Sequence, residues 1–169
     1  NTFPVHPAMN APDPQLDSLR LPPHSVEAEQ SVLGGLLIDN AQLENISGLL
    51  AEDDFYRHDH RLLFQHICKL INLDRPADVI TVHESLVLES KSEEIGGLAY
   101  LDALTRNTPS AANIIRYAEI VRERAILRKL VTFADEIAAE ALNPRGKEAR
   151  QLLDEAETRI LKVSEGSSY

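Results

Sequence analysis

The feature that most constrains the fold is a run of about 30 residues, from 114 to 142, that contains neither glycine nor proline. Glycine and proline are the residues that most disfavour a helix interior, so their absence permits one unbroken helix, about 43 Å long at 1.5 Å per residue. The apolar residues recur three or four positions apart: Ile120, Leu127, Leu130, Val131, Ala134, Ile137, Ala138 and Ala141. The run therefore predicts a single long amphipathic helix.

A second amphipathic segment follows a strong turn signal. The sequence Asn143-Pro144-Arg145-Gly146 combines residues that favour tight turns. After it, the apolar residues again share one helical face: Ala149, Leu152, Leu153, Ala156, Ile160 and Val163. Two long helices joined by a short polar turn pack side by side in opposite directions. We therefore predict a long antiparallel helical hairpin over residues 113–165.

This hairpin carries more apolar surface than its two helices can cover. A hairpin has only two layers, so the outer side of each helix finds no core within it, and a surface of this kind usually meets another molecule. We expect a second copy of the chain to cover it, with a subunit interface through Leu127, Leu130, Ile137, Leu153 and Ile160. The alternative is that the compact part of the chain folds back over this surface.

Residues 25–112 predict a globular domain of short helices. Gly34 and Gly35 lie inside the first of them, where each glycine costs about 1 kcal/mol relative to alanine. We expect another helix backbone to approach closely there, and a phosphate-binding role is the alternative. Thr81 and Glu84 have the spacing of a capping box. With only 5% aromatic residues and no tryptophan, the chain is predicted to be all-α, a compact orthogonal helical domain followed by the hairpin.

The two ends of the chain differ from the helical part. Residues 1–24 hold six of the nine prolines, and proline is excluded from helix interiors. Few apolar residues accompany them, so we predict a disordered, proline-rich tail. Met9 is a candidate for the natural start of the protein. Residues 166–169 are expected to begin a linker.

Charge and composition argue against several functions. Lysine and arginine number 17 against 27 aspartate and glutamate residues, a formal net charge of -10, which opposes binding to nucleic-acid phosphates. We therefore expect DNA to bind only weakly. One cysteine excludes an internal disulfide. The apolar runs are far shorter than the about 20 residues needed to span a bilayer, so we expect a cytoplasmic protein without a membrane partner.

The sequence lacks the pattern for nucleotide hydrolysis. A phosphate-binding loop needs Gly, four residues, and then Gly-Lys followed by Ser or Thr. The single Gly-Lys pair, Gly146-Lys147, is followed by Glu148. We therefore expect this chain to have no catalytic residue, to hold no cofactor and to hydrolyse no ATP.

A histidine–aspartate doublet is the one metal-like feature. His58-Asp59 is typical of metal-dependent phosphohydrolases, which are also all-helical, so such an enzyme is an alternative function. However, His58 and His60 are two residues apart, as are His66 and Cys68, whereas ligands on one helix must lie three or four apart to share a face. We interpret the doublet as a helix N-terminus, where Asp59 interacts with the helix dipole, and we expect no metal site.

One basic cluster, the basic stripe, interrupts the acidic background. Along the predicted long helix, five basic residues accompany two acidic ones: Arg116, Arg122, Arg124, Arg128 and Lys129 with Glu119 and Glu123. The stripe is either a solvated face with ion pairs inside the helix or a surface complementary to an acidic partner. For the second interpretation, we expect the exposed docking residues to be Arg122, Arg124, Arg128 and Lys129.

Four stretches of the chain carry a more specific signal: PPHSVEAEQSVLGGLLIDN, DDFYRHDHRLLF, RPADVITVHESL and GGLAYLDALTRNTPSAANIIRYAEIVRERAILRKL. In their order and spacing, from about Leu21 to about Ser164, they closely resemble the N-terminal domain of the bacterial replicative DNA helicase, the DnaB family. The last stretch is the most specific, since its Thr-Pro-Ser break and its arginine-bearing helix have no general reason to occur together.

The resemblance implies a non-catalytic part of a six-subunit ring that unwinds DNA with ATP at the bacterial replication fork. In that family, ATP and Mg²⁺ belong to a separate C-terminal RecA-like motor domain that this sequence does not include. The N-terminal domains form a collar, described as a trimer of dimers, in which hairpins of adjacent subunits pack together. The collar docks the C-terminal domain of primase and influences ring loading, which implies a helicase loader as a further partner.

The sequence leaves two other hypotheses about function open. One is the phosphohydrolase built on His58-Asp59. The other is a free-standing helical adaptor that has no motor domain as its partner.

Overall fold

The computed structural model describes residues 21–166 of the chain. Within this range the protein is helical and contains no strand, so the all-α prediction is confirmed. Its helices are α1 (Val26–Ile38), α2 (Leu43–Ile46), α3 (His58–Asn72), α4 (Val79–Leu88), α5 (Gly97–Arg106), α6 (Ile114–Leu142) and α7 (Ala149–Gly166), with single 3-10 turns at Asn40–Gln42, Glu52–Asp54 and Glu93–Ile95. The predictions for residues 1–20 and 167–169, including Met9, lie outside the described residues.

Helix α1 is the central element of the compact part. It contacts α3, α5 and α6, and its side chains Val32, Leu33 and Leu36 are fully buried. Burying an aliphatic side chain of this size contributes about 1.5–3 kcal/mol. The remaining helices and the segment after the 52–54 turn supply other fully buried side chains of this core, among them Ile46, Phe55, Leu63, Ile67, Val82, Leu86, Leu101 and Ile114.

Gly34 and Gly35 confirm the predicted close approach. A Cβ atom added to Gly34 would lie 2.1 Å from Thr108 Oγ1 and 2.7 Å from the Leu104 carbonyl oxygen, and one added to Gly35 would lie 3.0 Å from Ile114 Cδ1. The two glycines therefore let α1 contact the end of α5 and the start of α6 directly. Protein atoms fill the space beside them, which leaves no room there for the alternative phosphate site.

The start of α4 differs from the prediction. The capping box lies one turn earlier than Thr81 and Glu84: the Asp78 carboxylate accepts a hydrogen bond from the Thr81 backbone N–H at 2.9 Å, and Thr81 Oγ1 accepts one from the Asp78 N–H at 2.8 Å. Thr81 is thus the third residue of the helix rather than its cap. Aspartate is at least as good an N-cap as threonine, and its position adds a turn to the helix.

The last residues of the predicted tail are part of the packed structure. Pro23 and His24 are half-buried, and their carbonyl oxygens accept hydrogen bonds from α6. The His24 ring stacks on Tyr56, with 4.2 Å between the ring centroids. In this respect the predicted boundary at residue 24 is wrong. The high proline content predicted a tail, but it gives no sign that the carbonyl oxygens of these residues accept hydrogen bonds from α6.

Helices α6 and α7 form the hairpin, and α6 matches the predicted 114–142 run. At one end of the hairpin, Arg122 bonds the carbonyl oxygen of Gly166, and near the turn Arg159 pairs with Glu140 at 2.6 Å, so the helices run antiparallel. In the turn between them, Gly146 has a φ of 83°, a conformation that glycine adopts without steric cost. Among residues 21–166, no helix combines the length and the apolar content required to cross a membrane.

The replacement Gly34→Ala tests the close approach of α1 to α5. The added methyl group overlaps Thr108 and the Leu104 carbonyl group, and we expect this overpacking to outweigh the better helix propensity of alanine and to lower the free energy of unfolding by about 1–2 kcal/mol. Urea unfolding followed by circular dichroism measures it. Gly48→Ala is the control, since a Cβ at Gly48 meets nothing within 4 Å. Equal stability of the two variants would show that α1 and α5 are not in close contact.

Candidate functional site

The outer half of the hairpin is the largest part of the described structure without a core. In α6, the buried residues are Ile114, Ala118, Val121 and Ala125, all within its first half. No residue of α7 is buried. The first half of α6 thus belongs to the compact domain, and the rest of the hairpin projects from it.

The predicted interface residues lie on the hairpin, and four of the five are exposed. Leu127 and Leu130 each keep 40% of their surface exposed, Leu153 keeps 56% and Ile160 keeps 46%, while Ile137 is half-buried. The alternative that the compact domain folds back over them is therefore wrong. We call this set of five residues the apolar hairpin surface.

Near the turn, the two helices leave an open groove of about 430 Å³ between them. Its apolar lining includes Ile137, Ala141, Leu152, Leu153 and Ala156, with Glu140 and Lys147 also at its edge. An apolar floor with charged edges is the arrangement into which an amphipathic partner helix packs.

Ion pairs across the hairpin hold its two helices together where no core does. Arg159 of α7 lies 2.6 Å from Glu140 and 3.7 Å from Glu136, both on α6, while Lys147 in the turn lies 3.1 Å from Glu155 of α7. The hydrogen bond from Arg159 holds the pKa of Glu140 below its usual value. These exposed pairs orient the helices but add little stability each.

The structure corrects the expected exposure of the basic stripe. Arg124 and Arg128 are half-buried and point toward the compact part of the protein. Arg124 donates a hydrogen bond to the His24 carbonyl oxygen at 3.0 Å. Arg128 donates to the Pro23 carbonyl oxygen at 2.8 Å and to the Asp54 carbonyl oxygen at 2.7 Å.

Arg122 is also engaged inside the molecule. Its guanidinium group lies 3.4 Å from the carboxylate of Asp54, which is buried, and it also bonds Gly166 at the end of α7. Three of the four predicted docking residues thus bind other parts of the same chain. Backbone carbonyl groups and the Asp54 carboxylate accept the hydrogen bonds of these arginines, so their guanidinium groups are already paired within the chain.

Lys129 is the exposed member of the four candidates. Arg116, at the start of α6, is exposed too and pairs with Glu119 at 3.3 Å within the same helix. The solvated-face interpretation therefore describes Arg116. The docking role of the four candidates stays a prediction, and Lys129 is the one of the four whose side chain is exposed as that role requires.

The histidine–aspartate doublet does not form a joint site. Helix α3 begins at His58, as the helix N-terminus interpretation predicts, and Asp59 accepts a hydrogen bond from Arg57 Nε at 3.0 Å. His58 is exposed and lies 3.4 Å from Glu94, whereas His60 is fully buried. Among residues 21–166, no three His, Cys, Asp or Glu side chains are grouped so that they could hold a metal ion.

The other half of the metal-like cluster is also structural. His66 Nδ1 lies 2.7 Å from Ser85 Oγ on α4, and burial lowers the pKa of His66. Cys68 packs against the core, and burial raises the pKa of its thiol to about 11. A thiol with that pKa is protonated at neutral pH and is a poor nucleophile.

A buried polar network that the sequence did not predict joins α1, α3 and α5. The buried Glu29 carboxylate lies 2.8 Å from His60 Nδ1, and His60 Nε2 lies 2.6 Å from the Tyr100 hydroxyl group. Glu29 also accepts a hydrogen bond from the Tyr56 backbone N–H at 2.9 Å. Burial raises the pKa of Tyr100, so the phenol stays protonated and the network positions helices rather than supplying a nucleophile. A glutamate in the first turn of a helix is too common a pattern to reveal it.

Known proteins share this combination of a compact helical domain and a projecting hairpin. The family model described as the DnaB-like helicase N terminal domain matches residues 21–123, which is more than half of the chain. The chain belongs to this DnaB-like family.

Curated relatives of this DnaB-like chain are replicative DNA helicases. It is 46% identical over 154 residues to the replicative DNA helicase DnaB of Pasteurella multocida, and this alignment covers 91% of this chain and 33% of that protein. It is 41% identical over 159 residues to the DnaB of Haemophilus influenzae, which covers 94% of this chain and 34% of that protein. The chain thus spans about a third of the length of these relatives.

Solved structures agree with the DnaB-like assignment. The crystal structure of the N-terminal domain of DnaB helicase from Mycobacterium tuberculosis superposes with a TM-score of 0.80 at 34% identity, covering 84% of this chain and 99% of that one. A structure of a DnaB-like replicative helicase and its interactions with primase superposes with a TM-score of 0.70 at 20% identity, covering 85% of this chain and 32% of that one. The second likeness shows the fold.

Leu130→Asp tests whether a second copy of this DnaB-like domain covers the apolar hairpin surface. Because Leu130 is 40% exposed, we expect the charge to change the free energy of unfolding of the monomer by less than about 1 kcal/mol. We expect it to weaken self-association by at least about tenfold, since a desolvated carboxylate is costly in an interface.

Sedimentation velocity over a range of concentrations measures the association. The matched control is Leu98→Asp on α5 of the compact part, where the leucine is 37% exposed. Weaker association in both variants, or in neither, would contradict an interface on the hairpin.

Proposed function

We propose that this chain is the N-terminal collar domain of a hexameric replicative DNA helicase, a non-catalytic module for subunit assembly and primase docking. The observation that carries the proposal is the match of residues 21–123 to the DnaB-like N-terminal domain, together with relatives that are replicative helicases about three times as long. The phosphohydrolase alternative is not favoured, because His58, Asp59 and His60 each bind different partners.

In this proposal the hairpin assembles the ring. The apolar hairpin surface of one subunit packs against that of a neighbour, and three such dimers make the collar. The exposure of Leu127, Leu130, Leu153 and Ile160 supports this role, because it leaves apolar area that the described residues 21–166 do not bury. The length of the relatives, of which this chain covers about a third, favours a domain of a longer protein over the free-standing adaptor.

The chemistry of unwinding belongs, in this proposal, to the motor domain of the parent protein. ATP and Mg²⁺ bind there, and this domain binds neither. Its single Gly-Lys pair lies in the hairpin turn and is followed by Glu148, so the hydroxyl group that would contact Mg²⁺ is replaced by a carboxylate. We place the protein in the bacterial cytoplasm at the replication fork, with a helicase loader as a further partner and only weak contact with DNA through this domain.

Primase is the proposed docking partner, through its C-terminal domain. The groove at the hairpin turn supports this, since its apolar floor and its charged edge residues Glu140 and Lys147 suit a partner helix. Lys129, exposed on α6, is the basic-stripe residue that reaches a partner without first breaking a contact within the chain.

Lys129→Glu tests the docking model with an exposed charge. Opposite acidic groups on primase would then be repelled, and reversal of one such charge at the edge of an interface costs on the order of 1 kcal/mol, a roughly fivefold loss of affinity. Isothermal titration calorimetry with the primase C-terminal domain measures it. The control is Arg106→Glu, the same change of charge at an exposed residue of α5.

Sedimentation of the same variants separates docking from assembly. Weaker primase binding of Lys129→Glu in an intact assembly supports direct docking. Unchanged binding removes Lys129 from the docking surface, and primase binding that falls only where the assembly dissociates shows that the stripe acts through the collar.

A further inference from the structure

A short segment of chain crosses the base of the hairpin and is held there by arginines. Pro23 and His24 precede α1 and are half-buried. The Pro23 carbonyl oxygen accepts a hydrogen bond from Arg128 at 2.8 Å, and the His24 carbonyl oxygen accepts one from Arg124 at 3.0 Å. Two successive carbonyl groups of the segment are thus bound by two arginines one helical turn apart on α6.

Arg128 binds a second part of the compact domain as well. It donates to the carbonyl oxygen of Asp54, in the 3-10 turn Glu52–Asp54, at 2.7 Å. Its guanidinium carbon lies 5.4 Å from the centroid of the Tyr56 ring, and the His24 ring stacks on that same tyrosine. One side chain therefore joins α6 to two separate segments and also packs on the aromatic pair.

These contacts stand where the apolar core of α6 ends. Ala125 is the last buried residue of the helix, and α6 continues for nearly five more turns without a core. Because this part of the hairpin is long, a small rotation where it leaves the compact domain moves its far end by a large distance. The donors of Arg124 and Arg128 act at that base, beside the last apolar contact.

We propose that Arg124 and Arg128 are positioning residues that lock residues 22–24 and the 52–54 turn against α6 and thereby fix the direction of the hairpin relative to the compact domain. Guanidinium groups suit this role because each has several donors in a rigid plane and can bind carbonyl groups of different segments together. The two prolines at 22 and 23 restrict the backbone that presents these carbonyl groups. The lock concerns the geometry of the domain itself and does not depend on its partners.

Distances between spin labels on the two parts of the molecule test the lock. Labels are attached to Glu84→Cys on α4 and Glu148→Cys beside the hairpin turn, both exposed, in the full chain with Cys68→Ser. Dilution with excess unlabelled chain removes distances between molecules. In this background we expect one narrow distance distribution, and in Arg124→Met/Arg128→Met one about twofold broader, while the helical circular dichroism signal is unchanged.

Three further variants make the result specific. Arg116→Met, on the same helix but paired only within it at 3.3 Å, should leave the distribution narrow. Arg124→Lys/Arg128→Lys keeps one donor group at each position and should restore part of the narrowing. Pro22→Gly/Pro23→Gly keeps both arginines but loosens the bound segment, and it should broaden the distribution with the helices intact.

The widths of the distance distributions support or overturn the proposed lock. Equal widths for Arg124→Met/Arg128→Met and Arg116→Met would overturn it. If the double arginine variant fails to fold, the proline variant decides: a broader distribution supports the lock and an unchanged one overturns it.

Discussion

Helix α6 belongs to two parts of the molecule at once, and the rest of the structure depends on that. Its first half supplies Ile114, Ala118, Val121 and Ala125 to the core that α1 organises. Within residues 21–166, its second half has no core to join, because α7 is the helix that packs beside it. A helix without internal breakers is stiff, so the burial of its first half sets the approximate position of the second half and of α7, and the proposed lock at Arg124 and Arg128 holds that direction.

The compact domain can hold α6 because its own packing is close. Gly34 and Gly35 let α1 approach the end of α5 and the start of α6, where a methyl group would collide with Thr108 or crowd Ile114. The buried network from Glu29 through His60 to Tyr100 ties the same helix to α3 and α5. Apolar contacts and a satisfied polar network thus fix the base from which the hairpin projects.

Periodicity and breakers predicted the elements that depend on local sequence, and missed those that depend on distant backbone. The uninterrupted 114–142 run and the glycine pair were sufficient for α6 and for the close approach. The roles of Arg124 and Arg128 could not be predicted, because their acceptors are carbonyl groups of Pro23, His24 and Asp54, and every residue has such a group. A basic run on a helix looks the same whether it faces solvent or a segment a hundred residues earlier.

The most direct test of the account is hydrogen–deuterium exchange of the whole chain as its concentration rises. In the proposed assembly, the hairpin beyond Ala125 is the surface that a second copy of the chain covers. At low concentration, amides from 126 to 142 and in α7 should exchange faster than those of α1, whose side chains are buried. At high concentration, the hairpin amides should slow by about tenfold or more while α1 is unchanged. Hairpin exchange that is independent of concentration, or slowing confined to the compact domain, would contradict the account.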